Sequence, residues 1–246
     1  MKRFFKICTA LTIIFGILGA GLLIAAFGTG AKIPAVINNV TKEIGIGKGR
    51  AYYSFGKEGI RDIEIDIGGN DLTIVQGSGD QISLDNDEDA RIQAKIEDNG
   101  RKLKIKQRFK FRFFHFGDSQ GTAVLTLPKD MSLDELEIDC GSGEVKADAS
   151  LTANEVSIDC GSGDIEIRSL DAAKTDIDSG SGDVTISMKG SEGEYSYDVD
   201  SGSGDVYIGA RNYSGSDTSY ESENGSREIE IDSGSGDVRI KFSGAE

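Results

Sequence analysis

The chain has 246 residues, a formal net charge of −15 and a hydrophobic content of 37%. An acidic balance of this size repels phosphate backbones, which excludes nucleic acid as a partner; it attracts cations or basic partners, or keeps a protein soluble. Glycine stands at 33 residues against 2 prolines, and the glycines recur in register, which excludes a disordered linker as the body of the chain.

Lys2, Arg3 and Lys6 precede an uncharged apolar run from Ile7 to Gly28. Its 22 residues would span about 33 Å as a helix, enough for a hydrocarbon core of ~30 Å. The positive-inside rule then sets the N-terminus in the cytoplasm and everything after Thr29 outside. A cleaved signal peptide is the rival reading, with Ala26-Phe27-Gly28 as its small-x-small site. Signal h-regions run to about 7–15 residues, so a retained anchor over residues 1–28 is the expectation. Cys8 lies near the start of the run and does not support a lipoprotein cleavage site.

Residues 29–60 are small and Gly-rich, a juxtamembrane linker. Their Gly45-Ile46-Gly47-Lys48-Gly49 cluster lacks the strand, helix and Lys-Ser/Thr pair of a phosphate-binding loop. The rest, 61–246, reads as one β domain. Ile63, Ile65 and Ile67 alternate with Glu64 and Asp66, and strands follow around Leu72-Thr73-Ile74, Ile82-Ser83-Leu84 and Ile92 to Ile96. Asp85-Asn86-Asp87-Glu88-Asp89 resembles the start of an EF-hand, but Ala90 replaces the required glycine and no helices flank it, so it is a loop. Asn99-Gly100 predicts a hairpin.

Arg101 to Phe116 reads as a strand with a basic face. Lys102, Lys104, Lys106, Arg108, Lys110 and Arg112 share one parity, and Leu103, Ile105, Phe109, Phe111 and Phe113 the other. Such a stripe is either solvated or laid against acidic neighbouring strands, or it docks on anionic lipid headgroups or cell-wall polyanions with its Phe tip at the membrane. Gly117-Asp118-Ser119-Gln120-Gly121 matches a nucleophile elbow by letter only: no helix follows it, and a turn is expected.

After Leu127-Pro128-Lys129 one unit repeats, with aspartates at Asp139, Asp159, Asp178, Asp200 and Asp232 and spacings of 20, 19, 22 and 32 residues. Each unit reads strand, Asp-Cys/Ser-Gly-Ser-Gly-Asp/Glu corner, strand, and Asp66 to Leu72 is a degenerate forerunner. Cys140, Cys160, Ser179, Ser201 and Ser233 share the inward parity, where only a small side chain fits, and the glycines suit torsions that a Cβ resists. The long last interval holds a polar loop, about Asn212 to Arg227, that would project from one face. An antiparallel meander would also use such corners, but stacking rewards identical residues at identical positions. The expected fold is therefore all-β, a parallel β-solenoid of coils about 20 residues long after one N-terminal transmembrane helix.

The anchor, Leu127 to Asp130 and the repeated Asp-Ser-Gly-Ser-Gly-Asp-Val together resemble the bacterial "putative adhesin" β-strand-repeat family, a domain of unknown function. The resemblance covers roughly residues 60–246 and implies a β-solenoid displayed at the cell envelope, with no catalytic residues to carry over.

Stacked coils would bring Asp139, Asp159, Asp178, Asp200 and Asp232 into one column, and Glu144, Asp164, Asp183, Asp205 and Asp237 into another. Carboxylates ~5 Å apart repel, and a structural Ca²⁺ ladder along the first column would relieve the repulsion, as would water and salt. No other cofactor is implied. Cys140 and Cys160 would lie near disulfide distance, as a bridge or as two small buried thiols. The functional expectation is a non-enzymatic, single-pass protein of the cell membrane whose exported domain is an interaction, adhesion or structural surface. The alternative is a regulatory or envelope-stress accessory that contacts anionic lipid, wall polymer or another envelope protein. A carbohydrate-active enzyme is third, since near-identical units lack the one distinctive cleft such chemistry needs.

Overall fold

The computed structural model describes residues 51–87, 90–107, 121–213, 218–222 and 225–244. The apolar run Ile7 to Gly28, most of the linker, and residues 108–120 with the Phe-rich tip and most of the Gly-x-Ser-x-Gly turn lie outside them. Among the described residues no helix is long and apolar enough to cross a membrane.

Strands carry the fold. In chain order they are β1 (Ala51–Gly56), β2 (Asp62–Gly68), β3 (Asp71–Gly77), β4 (Gln81–Asn86), β5 (Ile92–Glu97), β6 (Lys102–Gln107) and β7 (Thr122–Pro128). The repeat then supplies β8 (Leu133–Cys140), β9 (Glu144–Ala147), β10 (Leu151–Cys160), β11 (Asp164–Ser179), β12 (Val184–Met188), β13 (Tyr195–Ser201) and β14 (Val206–Ile208). Last come β15 (Arg211–Asn212), β16 (Thr218–Ser222), β17 (Arg227–Ser233) and β18 (Val238–Phe242). β1 falls within the segment read as linker, yet it pairs with β4 and buries Tyr53 and Phe55.

The units stack in parallel and in register, not as a meander. One ladder runs β6, β2, β8, β10, β11, β17, β13. A second runs β7, β3, β9, β11, β12, β18, β14. The long strand β11 belongs to both, its first part in the second ladder and its last part in the first. The sheet thus folds over on itself around one apolar interior.

Spatial order departs from chain order at both ends. The β6–β7 coil lies outside β2–β3, and the β13–β14 coil lies outside β17–β18. The 32-residue interval therefore does not carry a projecting loop alone. It holds β15 and β16, which pair antiparallel with β14 and β13 and cover the outermost coil. At the other end β5 and β4 pair antiparallel with β6 and β7, and β1 with β4. The β5–β6 hairpin turns through Asn99 and Gly100, both at positive φ, as the Asn-Gly pair predicts. Antiparallel strands at each end let the parallel stack stop where a further coil would otherwise be templated.

Period-two patterning fills the interior. Ile65, Ile138, Ile158, Ile177, Ile231 and Val199 form one inward column, each at most 1% exposed. Leu72, Val145, Ile165, Val184, Val238 and Val206 form its counterpart across the corner. Full burial of such a side chain is worth about 1.5–3 kcal/mol before chain entropy is charged against it.

The corners are fixed by two contacts. Inside, Cys140, Cys160, Ser179, Ser201 and Ser233 each donate to the carbonyl of the second corner glycine, at 3.0, 2.9, 2.7, 3.0 and 2.8 Å. Between coils, backbone bonds continue the ladder round the bend, as in Gly180 N–H to Cys160 O and Ser181 N–H to Gly161 O, both 2.8 Å. This packing corrects the expected reason for the glycines. None of the repeat's corner glycines has φ in the left-handed region; they are required because stacked backbones leave no room for a Cβ. A Cβ on Gly182 would lie 1.7 Å from the Gly163 carbonyl oxygen, whereas Gly79 has nothing within 4 Å. In urea unfolding, Gly182→Ala is expected to lose more than about 2 kcal/mol and Gly79→Ala less than about 0.5 kcal/mol. Equal losses would show that the corners tolerate looser stacking.

Candidate functional site

The two acid columns do different work. In the second, the carboxylate of one coil accepts the backbone N–H of the next: Glu144 N–H to Asp71 at 2.9 Å, Asp183 to Asp164 at 3.1 Å, Asp237 to Asp183 at 2.9 Å and Asp205 to Asp237 at 3.0 Å. A carboxylate that accepts a backbone N–H is tied into the scaffold. Sequence reading missed this role, although the strict Asp/Glu after every corner was its signal.

The first column keeps its carboxylates on the outside, in the order Asp66, Asp139, Asp159, Asp178, Asp232, Asp200. Beside it runs the row Glu64, Glu137, Ser157, Asp176, Glu230, Asp198, and beyond that Asp62, Glu135, Glu155, Lys174, Glu228, Ser196. From β2 to β13 Lys174 is the one base in these three rows, and at their β6 end stand Lys102, Lys104 and Lys106. Partial burial, then the charges of Asp66 and Asp159, push the Asp139 carboxyl up to about 6, against the opposing pull of Lys106. Asp178 and Asp232 are raised for the same two reasons, with Asp159 and Asp200 as their leading charged neighbours. Among the described residues no group of three or more His, Cys, Asp or Glu side chains is placed to hold a metal ion.

The outer surface of the second ladder is mixed. It presents Thr73, Lys146, Glu166, Thr185 and Arg239 along one register row, and Lys146 pairs with Glu166 at 3.2 Å. One face is thus dense in acid, whereas on the other the bases Lys146 and Arg239 are interspersed among the acids.

The lysine stripe borders the acidic face. Lys106 pairs with Asp66 at 2.8 Å, Lys104 with Glu64, and Lys102 with Glu135 at 3.6 Å and Glu64 at 3.9 Å. These three thus lie against acidic neighbouring strands. Arg108, Lys110 and Arg112 lie outside the described residues.

Where β2, β8 and β10 begin, the acidic face opens into a cleft of about 420 Å³ lined by Asp62, Arg101, Asp134, Glu135, Asn154 and Glu155. Asp62 is only 6% exposed. Its Oδ2 accepts from Arg101 Nε at 2.8 Å, and Arg101 continues to Asp134 Oδ2 at 2.9 Å. Asp62 Oδ1 is buried with no hydrogen-bond partner. Its lining residues are scattered along the chain, so no motif announced the cleft.

The Toastrack DUF4097 family model matches residues 60–187 and again 170–241. The chain belongs to the Toastrack DUF4097 family. Among solved structures, a "putative cell adhesion protein" from Clostridium sporogenes ATCC 15579 is 17% identical, covers 80% of this chain and 100% of its own, and superposes with a TM-score of 0.54. A "putative adhesin" from Bacteroides fragilis NCTC 9343 shares 17% identity over 80% of this chain and 100% of its own, with a TM-score of 0.35. At such identities the first likeness is one of fold, and the second carries no further argument. No curated protein matches. The resemblance of the repeat to the "putative adhesin" family is borne out.

In this Toastrack chain Cys140 and Cys160 are free, buried thiols on adjacent strands. Contact with the Cys160 thiol, and then burial, push the Cys140 thiol up, which keeps it protonated and able to donate to its corner carbonyl. The acidic stretch after β4 is a fastening: Asp87 accepts from Ala90 N–H and from both the N–H and hydroxyl of Thr122, each at 2.8 Å.

The raised Asp139 has a consequence for pH. Its folded carboxyl titrates at about 6 against an ordinary value of 3.8, so the folded state holds the proton more tightly than the unfolded chain. That contribution to stability is fully present below about pH 4 and is lost as pH rises through about 6. Asp139→Asn is expected to raise stability at pH 7 by about 1 kcal/mol after allowance for solvent screening, and to flatten the stability profile between about pH 4 and 6. Denaturant melts across that range check both; an unchanged profile would contradict the assignment.

Proposed function

We propose that this Toastrack chain is a non-enzymatic, membrane-tethered protein whose exported β-repeat body acts as an interaction surface, and that its acidic face makes the contact. The observation that carries this reading is the division of the carboxylates. In the second column Asp71, Asp164, Asp183 and Asp237 accept backbone N–H groups from a neighbouring coil, while Asp139, Asp159, Asp178, Asp232 and Asp200 of the first make neither such a bond nor an ion pair among the described residues. Like charges held ~5 Å apart on a rigid sheet favour a cationic partner, because its approach relieves repulsion already present. A basic segment of another envelope protein is the partner that fits. A structural cation along the column would compete for the same carboxylates. The apolar run Ile7 to Gly28 behind Lys2, Arg3 and Lys6 supports the tether and the extracytoplasmic placement. Anionic lipid or wall polymer is the weaker partner. Lys102, Lys104 and Lys106 are already matched by Glu64, Asp66 and Glu135, which leaves such a contact to Arg108, Lys110 and Arg112.

Fluorescence anisotropy of a labelled dodecalysine peptide with the full-length protein in nanodiscs tests the reading. Asp159→Asn/Asp178→Asn/Asp232→Asn is expected to weaken binding about tenfold and to reduce its salt dependence. Neutralising Glu144 and Glu166 on the outer surface of the second ladder should leave binding within about twofold. Equal loss from both variants would contradict a dedicated face.

A further inference from the structure

The cleft at the start of β2, β8 and β10 carries more than diffuse charge. Asp62, Glu135 and Glu155 occupy one register row on three adjacent strands, so their side chains leave the sheet on the same side about 5 Å apart. Asp134 joins them from β8, and Asn154 donates to its Oδ1 at 3.5 Å. Arg101 shows which chemistry the cleft accepts: its guanidinium bridges Asp62 and Asp134, and the surrounding carboxylates stabilise its charged form. One cation does not satisfy the set. Asp62 Oδ1 remains buried without a donor, Glu155 makes no ion pair among the described residues, and Glu135 is met only by Lys102 at 3.6 Å.

An unpaired buried carboxylate oxygen is costly, and a structure that retains one favours whatever brings it a donor. A bare divalent ion needs several carboxylates converged on one point, and no such group occurs among the described residues. An ammonium or guanidinium group brings several N–H donors to separated acceptors and suits carboxylates set along a row. Arg101 is 55% exposed at its side chain, so the cation beside Asp62 is itself in contact with solvent.

We propose that this cleft is a binding site for an organic cation, an ammonium or guanidinium group received by Asp62, Glu135 and Glu155. The site deepens the acidic-face reading and rests on it, since it would seat one cationic side chain of the partner that the face attracts. A free amine has the same chemistry.

Chemical-shift titration of the full-length protein in detergent micelles tests this with two probes, argininamide and the blocked peptide acetyl-Gly-Gly-Arg-Gly-Gly-amide. Glu135→Gln/Glu155→Gln leaves Asp62 and its arginine in place and is expected to weaken both probes about tenfold. Asp159→Asn/Asp178→Asn/Asp232→Asn should leave them within about twofold. Comparable binding of the two probes assigns a chain-borne side chain; binding of argininamide alone assigns a free organic cation. Equal weakening by the two variants would overturn the cleft and leave the acidic face standing. Full displacement by equimolar Ca²⁺ would show a simple cation sink and also overturn it. Failure of dodecalysine to bind while both probes retain this pattern would count against the face and not the cleft.

Discussion

The fold depends on how closely one corner can sit on the next. A buried hydroxyl or thiol closes each corner of the repeat by donating to the carbonyl three residues ahead, and the glycine that carries this carbonyl lies directly against its counterpart in the neighbouring coil. Backbone bonds then run from coil to coil through the bend, so the ladder does not break where the chain turns. This contact holds the strands before and after the corner in register, which aligns the isoleucine and valine columns of the interior. A Cβ at the second glycine, or an inward side chain larger than Cys or Ser, would part the coils and forfeit both columns of buried surface. The forerunner corner solves the same problem differently. Gly68 takes φ of +57°, and buried Asn70 donates to Ile67 O at 2.8 Å while accepting from Gly121 N–H.

The same constraint distributes charge. Once corners are in register, the acids on either side of them must also stack, and like charges at sheet spacing repel. After the corner, Asp71, Asp164, Asp183 and Asp237 offset that repulsion by accepting backbone N–H groups from a neighbouring coil. Those before the corner lack such donors and stay outside, with Asp139, Asp178 and Asp232 all raised. At the β6 edge, Lys104 and Lys106 meet Glu64 and Asp66 and bound the acidic field on that side.

Much of this was legible in the residues. Period two, the five-fold unit and the small inward position predicted parallel stacked strands and an exposed aspartate column, and Asn99-Gly100 marked its hairpin. Coil order was not legible, because near-identical units fit next to any neighbour; only pairing shows Asp178 beside Asp232 with Asp200 beyond it. The reason for the glycines was hidden for a related cause: torsion is local, whereas the clash that excludes a Cβ comes from another coil. The role of Asp71, Asp164, Asp183 and Asp237 was missed because a carboxylate's partner cannot be read from its own segment. Asp62 and Arg101 meet only once β2 and β6 pair, which is why the cleft emerged from the fold alone.

The corner bond at Ser179 offers the most direct test of this account. Its hydroxyl donates to Gly182 O at 2.7 Å, while Ser181, in the same corner, faces solvent. Urea unfolding of Ser179→Ala, Ser179→Cys and Ser181→Ala separates the roles. Ser179→Ala is expected to lose about 1–3 kcal/mol, Ser179→Cys, which introduces the residue of the first two repeat corners, under about 1 kcal/mol, and Ser181→Ala almost none. A Ser179→Ala protein as stable as the parent would contradict this account.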